Sequence, residues 1–108
     1  MILYRLADMK GGWFIGDFEP ACLRTGTVEV ACKSYRMGES ESRHTHRICT
    51  EITLIASGKA KMDGKILEKG DIVLIEPGEA TDFRALEDTL TVVVKMPSVV
   101  GDKYTISQ

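Results

Sequence analysis

The sequence holds two histidines, His44 and His46, standing two residues apart. Side chains alternate along a β-strand, so on a strand both imidazoles face the same way, about 7 Å apart. Two imidazoles on one face can converge on one ion. Glu51 follows His46 by five residues, the wrong parity for a straight strand. It joins the pair only if a bulge or bend intervenes, or if it reaches in from an adjoining strand. Two histidines and a carboxylate make a metal-ligand set with open positions, suited to Fe(II), while Mn, Ni, Zn and Cu also fit. The plain alternative is a surface or hydrogen-bonded pair, because an HxH spacing often occurs without an ion.

The elements that must position these residues are strands. No segment holds a 3.6-residue apolar period for three turns. Thr27 to Arg36 alternates instead, with Val28, Val30, Cys32 and Ser34 on one face. Ile52–Ala56, Ile72–Ile75 and Leu90–Val94 are short runs rich in β-branched residues, each the length of a strand. Lys59 to Glu68 is expected to be a hairpin, because Asp63-Gly64 suits the positive-φ positions of a two-residue turn. Pro77-Gly78 suits a type II turn. Short strands without crossover helices predict an antiparallel barrel or sandwich.

With 108 residues, there is room for one domain. Fourteen basic against sixteen acidic residues leave a net charge of −2. No basic tract is present, which argues against nucleic acid as partner. The longest uncharged stretch, Ile52 to Gly58, is seven residues, far short of the roughly 20 that a membrane helix needs. Arg5, Asp8 and Lys10 interrupt the N-terminus, unlike a secretory signal. Three cysteines, Cys22, Cys32 and Cys49, are an odd number at irregular spacing, which fits reduced thiols in the cytoplasm.

Glycines frame the histidines. Gly38, His44, His46, Glu51 and Gly58 match the spacing of the first signature motif of the cupin superfamily at every position, and the chain resembles a small single-domain cupin. A second motif is degenerate. Gly70, Gly78 and Phe83 align, but Glu76 replaces a proline, Thr81 a histidine and Ala85 an asparagine. The two motifs span about a third of the chain. The resemblance implies an all-β fold, the antiparallel jelly-roll (cupin) β-barrel. Residues 1–20 are expected to pack on the barrel or in a dimer, 21–100 to form the barrel and 101–108 to be a tail. One chain then supplies one barrel, and a second barrel would come from another subunit.

Metal-binding cupins commonly use three histidines and a glutamate, and a third histidine is missing from this sequence. Either His44, His46 and Glu51 hold a divalent metal with vacant positions, or Asp82 or Cys49 adds a ligand, or the site is metal-free and binds an organic ligand. Thr81 or Asp82 is expected to line the pocket where the histidine normally stands. Cys49 also reads as a small buried hydrophobe. Arg36, among the arginines near the motifs, could hold a carboxylate or phosphate, with Phe83 beside the substrate. Glu76 and Glu79 could accept the histidine N–H groups. Trp13, Phe14 and Phe18 suggest a core plug or a dimer contact.

The barrel does not fix a reaction. The leading expectation is a metal-binding cupin acting on or binding a small polar metabolite through His44, His46 and Glu51, as a homodimer. The rivals are a metal-free module for a sugar or carboxylate and a metal-free sugar isomerase or epimerase. Catalytic residues, and whether the protein is an enzyme, stay open at this stage.

Overall fold

The computed structural model describes residues 1–107. Eleven strands follow one turn of 3-10 helix at Leu6–Asp8. They are β1 (Trp13–Gly16), β2 (Leu23–Arg24), β3 (Glu29–Tyr35), β4 (Ser40–Thr45), β5 (Thr50–Ser57) and β6 (Lys59–Met62). The remainder are β7 (Lys65–Glu68), β8 (Ile72–Ile75), β9 (Ala80–Ala85), β10 (Thr89–Met96) and β11 (Tyr104–Thr105). The β-branched runs form β5, β8 and β10. Asp63 and Gly64 turn the β6–β7 hairpin with φ of 47° and 78°. Gly58, which closes the first motif, has φ 87°, and a Cβ there would meet the Asp88 carbonyl oxygen at 2.3 Å.

The strands form two sheets, one in the order β2-β1-β3-β10-β5-β8, the other β11-β4-β9-β6-β7. Every pairing is antiparallel except β1 with β2. Trp13–Gly16 thus enters the six-stranded sheet, and Tyr104–Thr105 extends the other beside β4. Ile55, Ala60, Met62, Ile75, Phe83 and Ala85 form the buried core. Tyr35 packs on Phe83, ring centroids 4.4 Å apart.

Registers place residues in rows across the six-stranded sheet. On its inner face Glu29, Lys95 and Glu51 stand side by side, and so do Lys33, Thr91 and Ile55. The apolar alternation of β3 therefore turns outward. Val30, Val94, Ile52 and Leu74 form one outer row, and Cys32, Val92, Leu54 and Ile72 the next. An antiparallel sheet facing water usually carries polar residues there.

The other sheet carries the irregularity that matters. Glu41 pairs with Phe83 and His44 with Thr81, so Ser42 and Arg43 together oppose Asp82. This β-bulge shifts the phase of β4. Glu41 and His44, an odd number apart, consequently both line the interior cavity.

Candidate metal centre

His44 lies near the end of β4 and His46 just beyond it, their rings edge to face with centroids 5.2 Å apart. Glu51 comes from β5 in the opposite sheet. It reaches in from the facing sheet, rather than from an adjoining strand or through a bend in β4. One donor atom from each of His44, His46 and Glu51 lies within 4.8 Å of the others. Donors on opposite sides of one ion, on bonds of about 2.1 Å, stand roughly 4.2 Å apart.

Hydrogen bonds fix the tautomers. The His44 Nδ1–H donates to the Ser42 carbonyl at 2.9 Å. The His46 Nδ1–H donates to the Asp102 carbonyl. A carbonyl only accepts, so both hydrogens sit on Nδ1 and each Nε2 is left to act as a ligand. The His46 Nε2 faces Glu51 Oε1 at 3.1 Å. A lone pair facing a carboxylate is repulsive, so a proton or a cation belongs between them. The donor set therefore fits a divalent cation.

Charge and burial agree with that fit. Burial lowers the His44 pKa below its usual range, partly offset by the Ser42 bond, which keeps the ring neutral and able to ligate. Burial pushes the Glu51 carboxyl up, but a proton in the gap to His46, the Lys95 charge and the Thr53 hydroxyl hold it below the ordinary range. Thr53 Oγ1 donates to Glu51 Oε2 at 3.0 Å, which aims Oε1 at His46.

Asp102 straps the loop that follows His46. Its carboxylate accepts the backbone N–H groups of Arg47, Ile48 and Cys49 at 2.9–3.3 Å. Burial raises its pKa, and those N–H groups more than offset the effect. His46, Cys49 and Asp102 also cluster, but the Asp102 oxygens are committed to the backbone. Burial pushes the Cys49 thiol up to about 11, so it remains protonated at neutral pH.

The histidines open into a cavity of about 380 Å³. Its walls carry ionised groups that sequence reasoning passed over: Glu29, Lys33, Glu41 and Lys95. Lys33 Nζ donates to Glu41 Oε2 at 2.7 Å, and the Tyr35 hydroxyl donates to the same oxygen. Burial pushes Glu41 up, yet these bonds hold it down at about 2. Burial, reinforced by Glu41, raises the Tyr35 pKa and keeps the phenol protonated. Parity in the sequence points the other way, because Lys33 stands on the face opposite the apolar Val30 and Cys32 and reads as outward.

Thr81 is buried and pairs in register with His44, lining the cavity. Phe83 lies deeper in the wall. Asp82 lines the cavity too, but it is exposed, its carboxylate accepts the Asp63 N–H at 2.9 Å opposite the bulge, and it does not join the donor group of the histidines. Cys49 is 2% exposed and clusters with Asp102 rather than Glu51. Arg36 lines a separate shallow recess with Glu39 and Asp88. Glu76 and Glu79 are exposed, and the histidine Nδ1–H groups go to backbone carbonyls instead. Trp13 and Phe18 meet edge to face at 6.4 Å and line the cavity.

No family model and no curated protein matches the chain. Solved structures do. An uncharacterized conserved protein with a double-stranded β-helix domain from Klebsiella pneumoniae is 18% identical, with 98% of this chain and 92% of that one covered at a TM-score of 0.73. KdgF from Halomonas sp. is 21% identical, covering 70% and 74% at a TM-score of 0.64. A sugar phosphate isomerase of the cupin superfamily from Silicibacter pomeroyi is 18% identical, covering 67% and 52% at a TM-score of 0.61. The chain has the cupin fold, a double-stranded β-helix barrel.

Proposed function

We propose that this protein is a small metal-binding cupin that takes a small polar metabolite into its barrel. The observation that carries this reading is His46, whose Nδ1 is committed to a carbonyl while its Nε2 faces the Glu51 carboxylate at 3.1 Å. His44, His46 and Glu51 would hold the cation, of Fe, Mn, Ni, Zn or Cu type. A bound divalent cation supplies Lewis-acid polarisation of a substrate oxygen. The Ser42 and Asp102 carbonyls orient the rings, Thr53 orients Glu51, and Lys33 and Tyr35 keep Glu41 ionised on the cavity wall. The isomerase among the similar structures acts, by its name, on a sugar phosphate, and a small polar metabolite is the class we carry over.

Metal content of protein purified without a polyhistidine tag tests the reading, with a His44→Ala/His46→Ala variant as control. Stoichiometric metal, lost in the variant, is expected. A wild type that carries none and binds none on titration with Co(II) overturns it. That result would select a second reading, resting on the same 3.1 Å contact: a metal-free site in which His46 and Glu51 share a proton for acid–base work. A small molecule that stabilises the protein and is recovered unchanged makes it a binder; one that is converted makes it an enzyme.

We further propose a homodimer through the outer face of the six-stranded sheet, working in the cytoplasm, where its three free cysteines would stay reduced. Support comes from the two outer rows of four apolar residues on adjacent strands, a patch that a lone barrel has reason to avoid. Light scattering should give twice the chain mass, and Leu54→Lys should give a folded monomer. A monomeric wild type at micromolar concentration overturns the pairing. No helix among the described residues is long and apolar enough to cross a membrane.

A further inference from the structure

The cavity carries further polar groups beside Glu51 that the metal reading does not use as ligands. Lys95 and Lys33 both approach the Trp13 ring, their Nζ atoms 4.8 Å and 5.9 Å from its centroid. Their side chains are only 15% and 23% exposed. Lys33 spends one N–H on Glu41 at 2.7 Å. Among the described residues Lys95 has no acceptor within hydrogen-bonding distance; its nearest carboxylate oxygen, Glu29 Oε1, is 3.7 Å away. The other Glu29 oxygen accepts the Ser98 hydroxyl at 2.6 Å. A cation held this far from water normally has its donors filled.

A neighbouring atom has the same lack. Thr91 lines the cavity on the strand that carries Lys95, in the row of Lys33, and is 1% exposed. Its Oγ1 has no hydrogen-bond partner. Buried hydroxyls seldom stay unpaired. An ammonium beside an indole with no hydrogen-bonded acceptor, and a buried hydroxyl without a partner in the wall of the same cavity, describe a half-built anion site.

We propose that the metabolite carries a carboxylate, received by Lys95 and Lys33 with the Thr91 hydroxyl, beneath Trp13. This rests on the preceding reading only for the other end of the ligand. The inward strand positions also carry three glutamates, Glu29, Glu41 and Glu51, so a singly charged carboxylate is favoured over a phosphate with a second charge.

The test is calorimetric titration of the full chain with formate, pyruvate and succinate. Succinamide and inorganic phosphate serve as comparators. Each titration is run on metal-free and Co(II)-loaded protein. At least one carboxylate should bind metal-free protein. Lys95→Met should weaken it about tenfold or more, Thr91→Val several-fold, and Lys95→Arg much less than Lys95→Met. The amide and phosphate should bind at least about tenfold more weakly than that carboxylate. Thermal melts confirm that each variant is folded. The proposal is overturned if none of the carboxylates binds, if folded Lys95→Met and Thr91→Val bind like wild type, or if succinamide or phosphate binds as well. Lys95-dependent carboxylate binding by a protein that takes up no Co(II) removes the metal reading and leaves the anion site standing. Co(II) uptake with Lys95-independent carboxylate binding does the reverse.

Discussion

Asp102 holds His46 twice over, its backbone carbonyl taking the ring N–H while its carboxylate gathers the next three backbone N–H groups. One residue near the C-terminus thus sets both the tautomer of a ligand and the shape of the loop bearing it. Asp102→Ala keeps the carbonyl and deletes the carboxylate. Orphaning these amides, the buried one of Cys49 above all, should cost about 2 kcal/mol, a fall in Tm of roughly 10 °C for a domain of this size. Metal affinity should fall about tenfold, as when a group that orients a ligand is removed. Melting curves and Co(II) titration of the same variant check both figures.

Glu51→Gln keeps the shape of the side chain and its contacts with Thr53 and His46 but removes the charge. Adding Co(II) at about a hundred times its dissociation constant should stabilise wild type by about 2.7 kcal/mol, which corresponds to roughly 13 °C in Tm. The variant should show most of that gain gone. An equal gain in the variant would remove Glu51 from the ligand set.

Glu41 predicts an acid limit to stability. Its pKa falls from an ordinary 4.5 to about 2 in the fold, so the folded state binds fewer protons than the unfolded. The associated stability is complete above pH 4.5 and drains away as pH drops towards 2. Its upper bound is about 3 kcal/mol. Denaturant melts between pH 6 and 2.5 should show this loss, and Glu41→Gln should flatten the curve while lowering its plateau.

Phe83 is 6% exposed and stacks on Tyr35 within the core. Phe83→Ala should cost about 3–5 kcal/mol through the cavity it leaves. Urea unfolding, read from tryptophan fluorescence, measures it.

Much of the barrel was legible because strands and turns are local. β-Branched runs marked β5, β8 and β10, and Asp63-Gly64 marked its hairpin. The meeting of His44, His46 and Glu51 was legible through glycine-framed spacing. What spacing could not convey was which face of a strand turns inward. Val30 and Cys32 look like core residues and lie outside, whereas Lys33 and Lys95 line the cavity. That depends on the opposite sheet, which single-strand periodicity does not encode. Asp102 acts across more than fifty residues, and no local pattern announces such a contact.

The bulge at Ser42–Arg43 makes β4 a strand with two phases, the Glu41 half and the His44 half. Straightening β4 with both residues in place would force a choice, since Glu41 and His44, three apart, could not then both face in. Deleting one of the two would leave the pair two apart, on the same face of a regular strand. The interior chemistry of the barrel therefore tolerates loss of the extra residue, but not loss of the bulge while that residue stays.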